Sequence, residues 1–191
     1  MNLVVADISI SIDGYVTAAG RTPDEPMGLG GERLHHWTTS EEGQRMLGET
    51  VTDLGAVIAG RRTYDDSVRW WGADGPTGPA RRPVIVVSHD RPATTPADGV
   101  YRFTSEGVVE ALRQAQGVAD GRTVCVMGGA DTIRQFLDAD LVDELSLHVA
   151  PVLLGGGTRL FDGASERQLG LELVSVLDTP TAVHARYRVP R

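Results

Sequence analysis

The stretch from Ala56 to Thr63 has the sequence AVIAGRRT, which is four apolar residues, a glycine, two arginines and a threonine. A second stretch, TVCVMGGADT (residues 123–132), has the same order, with an apolar run, a glycine pair and short polar residues. A short apolar run that ends in glycine is typical of a buried strand that turns tightly into a helix. We therefore predict two strand-to-helix units in one sheet.

Strand and helix patterns alternate through the rest of the chain. The predicted strands are Val4–Ile12, Val84–Val87, Tyr101–Phe103 and Glu144–Pro151. The predicted helices are Ser105–Gln116 and Ala130–Leu137. Two last strands, Leu171–Leu177 and Val183–Val189, follow each other without a helix, which favours antiparallel pairing. We expect one α/β domain over residues 1–191, with three α/β/α layers, a mixed, mostly parallel central sheet and antiparallel C-terminal strands.

Composition excludes several classes of function. The net charge is −8, and all 18 basic residues are arginine. Such a chain repels phosphate backbones, so we expect no nucleic-acid partner, and a P-loop or a Schiff-base lysine is excluded. With no long apolar window and no basic leader, we expect a cytoplasmic protein without membrane contact. One cysteine, Cys125, and five histidines without metal-binding spacing predict no metal site.

Both glycine junctions place backbone donors where α/β sheets bind ligands. Those ligands lie at the carboxyl ends of strands, where helix N-termini offer free N–H groups to phosphates. Two such junctions could hold the two phosphates of a dinucleotide, and arginine forks suit phosphate geometry. The alternative is that the glycines only permit turns and the arginines are solvated. The candidate residues are Gly60, Arg61, Arg62 and Thr63, and Gly128, Gly129, Ala130, Asp131 and Thr132.

Longer runs of the chain resemble a known family. They are SIDG (11–14), WTTSEE (37–42), IAGRRTYD (58–65), VMGGADTIRQFL (126–137) and DELSLHVAPVLLGGGTRLF (143–161). In this order they resemble the dihydrofolate-reductase-like superfamily. The resemblance is closer to the C-terminal reductase domain of the bifunctional riboflavin-biosynthesis deaminase-reductase, the RibD C-terminal domain family. It covers nearly the whole chain, so a stand-alone reductase-type domain is expected.

The resemblance implies NADPH as the cofactor. In that family the first junction binds the phosphates, with an arginine near the adenosine 2′-phosphate. The glycine pair binds the pyrophosphate. The resemblance also places Ser88 beside the adenosine. The apolar, glycine-rich run Ala150–Phe161 corresponds to a subunit contact in that family, so we expect a homodimer. Burial of this run inside a monomer is the alternative.

One departure from the family concerns the substrate. Met127 stands where the riboflavin-pathway reductases carry a substrate-associated glutamate. The leading hypothesis is therefore an NADPH-dependent reductase that transfers a hydride to a small pyrimidine- or pterin-like heterocycle. Two alternatives stay open. One is 5-amino-6-(5-phosphoribosylamino)uracil reductase of riboflavin biosynthesis, and the other is a non-catalytic nucleotide- or flavin-binding module.

A reductase also needs a proton source and a wall for its substrate. Asp13 and Glu41 are the candidate catalytic acids, with an Asp-Gly turn and a helix-dipole charge as their structural alternatives. Trp37, Tyr64 and Trp70 are candidate substrate-binding residues that could stack on a flat ring, with core packing as the alternative.

The segment before the first helix carries two further signals. TSEE (39–42) predicts a capping box, with Thr39 as the N-cap and Glu42 at the third helical position. The Gly- and Pro-rich segment Thr17–Trp37 is too long for a simple connection, and it predicts a functional loop or lid.

Overall fold

The computed structural model describes residues 2–162 and 168–190. Its strands are β1 (Val4–Ser11), β2 (Tyr15–Ala18), β3 (Leu54–Gly60), β4 (Val84–Val87), β5 (Tyr101–Thr104), β6 (Thr123–Gly128), β7 (Glu144–Ala150), β8 (Gly157–Arg159), β9 (Glu172–Thr179) and β10 (Ala182–Arg188). Its α-helices are α1 (Glu41–Asp53), α2 (Arg61–Trp71), α3 (Gly107–Val118) and α4 (Ala130–Asp138). Two 3-10 helices span Gly31–Thr39 and Gly75–Ala80.

Eight of these strands form the central sheet, in the order β5-β4-β3-β6-β1-β7-β10-β9. All pairs from β5 to β7 are parallel, whereas β10 is antiparallel to both β7 and β9. β2 and β8 form a separate antiparallel pair. The predicted α/β fold, with a mixed, mostly parallel sheet and antiparallel C-terminal strands, is therefore confirmed.

Side-chain alternation in the strands creates three layers. In β3, Ala56 and Ile58 pack with α3 and α4, whereas Val57 and Ala59 pack in a second cluster that contains Tyr64 of α2. All four residues are fully or almost fully buried, as a parallel strand covered on both faces should be. Cys125 is buried in the second cluster, as expected of a small core residue.

Two local predictions need correction. The N-cap of α1 is Ser40 and not Thr39, because the Ser40 hydroxyl accepts the Gly43 N–H at 3.1 Å while the Thr39 hydroxyl donates to the carbonyl of His36. Glu42 is therefore the second helical residue. The segment Thr17–Trp37 contains the second half of strand β2 and most of the first 3-10 helix, so only its middle is irregular.

No helix among the described residues combines the length and the apolar character that a bilayer crossing requires.

Candidate active site

A cleft of about 1020 Å³ opens at the carboxyl ends of β3 and β6 and continues across β1 and β7. This is the edge at which open α/β sheets bind their ligands. Its volume is at the upper end of the range for small-molecule sites, which leaves room for a dinucleotide and a second small molecule. The cleft is described below in two parts, one on each side.

The part at β3 and β6, called here the glycine side, consists of Gly60–Thr63 and Gly129–Thr132. Helix α2 begins directly after Gly60, and α4 begins directly after Gly129. Within the described residues neither helix start has a side-chain cap, so the first N–H groups of both helices are available to an anion. All these residues line the cleft, but the predicted Gly128 does not.

The two junctions approach each other so closely that glycine is required. A Cβ at Gly60 would lie 2.3 Å from Oγ1 of Thr132, and a Cβ at Gly129 would lie 3.2 Å from Oγ1 of Thr63. The peptide bond between Gly128 and Gly129 is cis. Each glycine thus lets one helix start lie against the threonine of the other, which brings both sets of N–H groups to one place.

The two adjacent arginines have different surroundings. Nε of Arg61 donates to both carboxylate oxygens of Asp65 at 2.8 Å. Its Nη1 donates to Oγ of Ser88 at 3.1 Å and to the carbonyl of Asp90 at 2.7 Å. Arg62 is exposed and lines the cleft, and it forms no ion pair within residues 2–162 and 168–190. Arg61 therefore fixes the wall around Ser88, while Arg62 is the arginine free to meet an anion.

The part at β1 and β7, called here the histidine side, consists of Asp7, Ser9, Trp37 and His148. Trp37 is 4% exposed, and its indole N–H donates to Oγ of Ser9 at 2.9 Å. Nε2 of His148 lies 3.2 Å from both carboxylate oxygens of Asp7. These side chains give the cleft a carboxylate, an imidazole and an aromatic wall on neighbouring elements.

Asp7 is held in its ionised form. Burial alone would raise its pKa, but hydrogen bonds from His148 and Ser146 and the charges of His148 and Arg186 outweigh burial, so the pKa lies below its usual value. A carboxylate on the floor of the cleft is therefore available as an acceptor at neutral pH.

Sequence reasoning missed Asp7 and His148. The available signal was the run of polar residues Asp7, Ser9 and Ser11 at alternate positions of an otherwise apolar strand. Because alternate residues share one face, this run predicts a polar face on a strand that lies inside the sheet. Such a face needs partners, and His148 of the neighbouring strand is one of them.

The three predicted substrate-binding aromatics have different positions. Trp37 and Trp70 line the cleft, and Trp70 is 60% exposed with the guanidinium of Arg69 over its ring. Tyr64 does not line the cleft. Its ring is buried edge-on against Tyr101 and Phe103, because the helical position of residue 64 faces the sheet. Core packing is the observed role of Tyr64.

Neither predicted acid lines the cleft. The carboxylate of Asp13 accepts hydrogen bonds from the Ser11 hydroxyl at 2.6 Å and from the N–H groups of Leu154 and Gly155 at 3.1 and 2.7 Å. These bonds lower the pKa of Asp13 to about 2, so it is a poor proton donor at neutral pH. Glu41 is exposed in the first turn of α1. Both acids therefore lie outside the lining of the cleft.

The middle of the predicted lid does reach the cleft. Arg21, Pro26 and Met27 contribute to its wall, and Arg21 forms an ion pair with Asp66 of α2. This connection joins the loop after β2 to the helix on the glycine side. Among the described residues no group of three or more histidine, cysteine or acidic side chains is arranged to bind a metal.

A model of the RibD C-terminal domain matches residues 2–185. The chain belongs to the RibD C-terminal domain family. The family resemblance predicted from the sequence is thereby confirmed, and the comparison with solved structures gives the same fold.

Three of these structures define the likeness. A Shewanella sp. PV-4 protein, provisionally named for riboflavin biosynthesis, is 25% identical, with full coverage of both chains and a TM-score of 0.74. The Thermotoga maritima diaminohydroxyphosphoribosylaminopyrimidine deaminase/5-amino-6-(5-phosphoribosylamino)uracil reductase is 15% identical over 99% of this chain and 57% of that one, with a TM-score of 0.69. Dihydrofolate reductase from Enterococcus faecalis, complexed with NADP(H), is 16% identical over 99% and 97% of the two chains, with a TM-score of 0.63. The RibD C-terminal domain family therefore shares the dihydrofolate-reductase-like fold found here.

Proposed function

We propose that this protein is an NADPH-dependent reductase that transfers a hydride to a small, flat pyrimidine- or pterin-like heterocycle. One observation carries the proposal: a single cleft joins two uncapped helix starts, brought together by glycines, to a buried aromatic and an Asp-His pair. The first feature suits a dinucleotide, and the second suits a polar ring. Two structurally similar proteins named as reductases support this assignment.

The glycine side fits the phosphates of NADPH. The N–H groups at the starts of α2 and α4 would meet the pyrophosphate, and the guanidinium of Arg62 would meet the adenosine 2′-phosphate as a charge-assisted fork. Ser88, buried next to Arg61, would line the adenosine side. When bound, NADPH supplies the hydride.

The histidine side fits a flat, polar substrate. Trp37 offers an aromatic face, and the Asp7 carboxylate would accept N–H donors of the ring edge. Orientation of the substrate would thus depend on side chains, whereas orientation of the cofactor would depend on backbone groups.

A narrower candidate is 5-amino-6-(5-phosphoribosylamino)uracil reductase. The family match and the name of the Thermotoga maritima enzyme favour it. Met127, which lines the cleft, is the point against it, because a thioether cannot replace the acceptor that the resemblance assigns to that position. Met127→Glu should therefore improve turnover of this uracil derivative if the narrower function is correct.

The first experiment is a calorimetric titration with NADPH and with NADH, followed by assay of NADPH oxidation. Dihydrofolate and 5-amino-6-(5-phosphoribosylamino)uracil serve as probe substrates. NADPH should bind with micromolar affinity and NADH much more weakly. Absence of NADPH binding would overturn the reductase proposal. Tight NADPH binding without turnover of any pyrimidine or pterin would instead support a non-catalytic nucleotide-binding module.

We also propose a homodimer. β9 is an edge strand of the sheet, and Leu173 and Val176 on it are 62% and 55% exposed. Leu153 and Phe161, from the run predicted to form the contact, are also exposed. Exposed apolar edges are common at subunit contacts. Light scattering after size exclusion should show a dimer. Val176→Asp should give a monomer, whereas Val109→Asp, at an exposed position of α3, should leave the dimer intact. A monomeric wild type would contradict this.

A further inference from the structure

Beneath Trp37, three polar side chains lie side by side on neighbouring strands. His148 of β7 is paired with Ser9 of β1 on one side and with His184 of β10 on the other. Both histidine side chains are buried. Nδ1 of His148 lies 2.7 Å from Nδ1 of His184, and Nε2 of His148 lies 3.2 Å from both oxygens of Asp7. A continuous chain of hydrogen bonds therefore runs from the cleft into the sheet.

The two ends of this chain fix where its protons are. The Asp7 carboxylate only accepts, so Nε2 of His148 carries a proton. At the other end the Thr179 hydroxyl donates to the carbonyl of Ala182 at 3.0 Å, and its oxygen accepts the Ala182 N–H at 3.1 Å. One lone pair is then left to accept from Nε2 of His184 at 3.4 Å. When His184 is neutral and Nε2 carries its proton, Nδ1 of His184 is unprotonated and accepts from Nδ1 of His148. His148 therefore donates from both nitrogens, which makes it an imidazolium.

The surroundings favour a neutral His184. Burial and the charge of His148 lower the pKa of His184, although Asp7 acts in the opposite direction. The ring of Trp37 lies 4.2 Å from that of His148 at 31°, an arrangement that favours a cation.

Other titratable groups also face the cluster. Cys125 of β6 has a pKa raised by burial and by Asp7, and Arg186 of β10 adds a positive charge. Desolvation by burial and the charge of His148 lower the pKa of His35, from the 3-10 helix. Only Asp7, His35 and His148 among these groups line the cleft.

We propose that His148, held by Asp7 and His184, is the proton donor of the reductase. This inference rests on the proposed function. When bound, NADPH would supply a hydride to the carbon of a polarised C=N bond of the substrate. The Nε2 proton of His148 moves to the nitrogen, giving CH–NH, NADP+ and neutral His148. His148 then regains a proton from solvent after the product leaves. Asp7 and His184 are positioning residues that hold the two ring nitrogens of His148.

The resting state can be tested without any substrate. Nitrogen-15 NMR of histidine-labelled protein should show both nitrogens of His148 protonated near neutral pH, and His184 protonated only at Nε2. His148→Asn and His184→Asn assign the signals, and exposed His36 is the internal control. A single unprotonated nitrogen on His148 under these conditions would overturn the proposal, whether or not NADPH binds.

The catalytic role is tested with the probe substrate that the wild type reduces. His148→Asn should lower kcat by about 100-fold or more, the range for loss of a general acid, with NADPH affinity unchanged. The wild-type kcat should fall with rising pH in one deprotonation step that His148→Asn lacks. Retention of that step in the variant would contradict the proposal. His36→Asn is the matched control, because His36 is exposed and lies outside the cleft lining, and it should keep both the rate and the step.

The positioning role of His184 has its own test. In His184→Asn the amide oxygen takes the place of Nδ1 as acceptor, whereas His184→Phe has no acceptor. The asparagine variant should keep the pH step at its wild-type position, and the phenylalanine variant should shift it to lower pH because neutral His148 is then favoured. Equal pH profiles for the two folded variants would contradict the positioning role and show that His184 contributes only packing. Failure of NADPH to bind the wild type would instead count against the proposed function alone.

Discussion

The glycine side and the histidine side of the cleft are built from different parts of the protein. On the glycine side, two contiguous motifs supply backbone N–H groups, and the side chains are small enough to let the two helix starts touch. On the histidine side, Asp7, Trp37 and His148 come from separate segments and act through their side chains. A site made of backbone should be sensitive to added volume, whereas a site made of side chains should be sensitive to the loss of one functional group. The predictions below test this difference.

The largest effect is expected for Gly60→Ala on the glycine side. The new Cβ would lie 2.3 Å from Oγ1 of Thr132, so the two helix starts must separate. Overpacking of this kind costs about 1–3 kcal/mol. If the cost is taken from the binding free energy, the affinity for NADPH falls roughly 5- to 150-fold. Calorimetry should show weaker NADPH binding, and the melting temperature should fall.

A second substitution distinguishes volume from loss of the glycine itself. Thr132→Ala removes the clashing oxygen, and the next nearest atom to the new Cβ, the Cβ of residue 132, is 3.6 Å away. Gly60→Ala/Thr132→Ala should therefore bind NADPH better than Gly60→Ala alone. If the double variant is as weak as the single one, steric contact between the junctions is not what requires glycine here.

A smaller and more selective effect is expected for Arg62→Ala. If this guanidinium meets the 2′-phosphate, its loss should weaken NADPH binding by about tenfold, close to the value of one exposed charge-assisted hydrogen bond. NADH, which lacks that phosphate, should bind as before. Arg45→Ala, on exposed α1 and outside the cleft, is the control. Equal losses for both cofactors would show that Arg62 contributes general charge and not recognition.

The same difference explains which parts of the site could be predicted from the sequence. The junction at Gly60–Thr63 could be predicted because its strand, turn and helix start are consecutive, so local patterns define the site. Asp7 and His148 are adjacent only after β1 and β7 pair, and no spacing along the chain indicates that register. Tyr64 was predicted to bind substrate for a related reason. Its separation from Gly60 is known from the sequence, but the face of α2 that meets the sheet is determined by packing.

Asp13→Asn tests an acid that the sequence predicted to be catalytic. An amide cannot accept all three of the hydrogen bonds that the carboxylate accepts, so the melting temperature should fall while kcat stays unchanged. Because folding lowers the pKa of Asp13 from 3.8 to about 2, its contribution to stability is present above pH 3.8 and is lost as the pH falls toward 2. Acid unfolding of the wild type and the variant should therefore converge at low pH. A loss of kcat at constant stability would instead show that Asp13 has a catalytic role.

The smallest effect is expected for Glu41→Gln. Glu41 is exposed in the first turn of α1 and does not line the cleft, so its substitution should remove a favourable charge at the helix dipole, a contribution of about 0.3–1 kcal/mol. Both kcat and KM should equal those of the wild type across the pH range, and the melting temperature should fall only slightly. This near-absence of effect is informative because Asp7→Asn removes the same charge from the floor of the cleft. If Glu41→Gln abolished the pH step and Asp7→Asn did not, α1 and not the strand pair β1 and β7 would carry the proton chemistry of the histidine side.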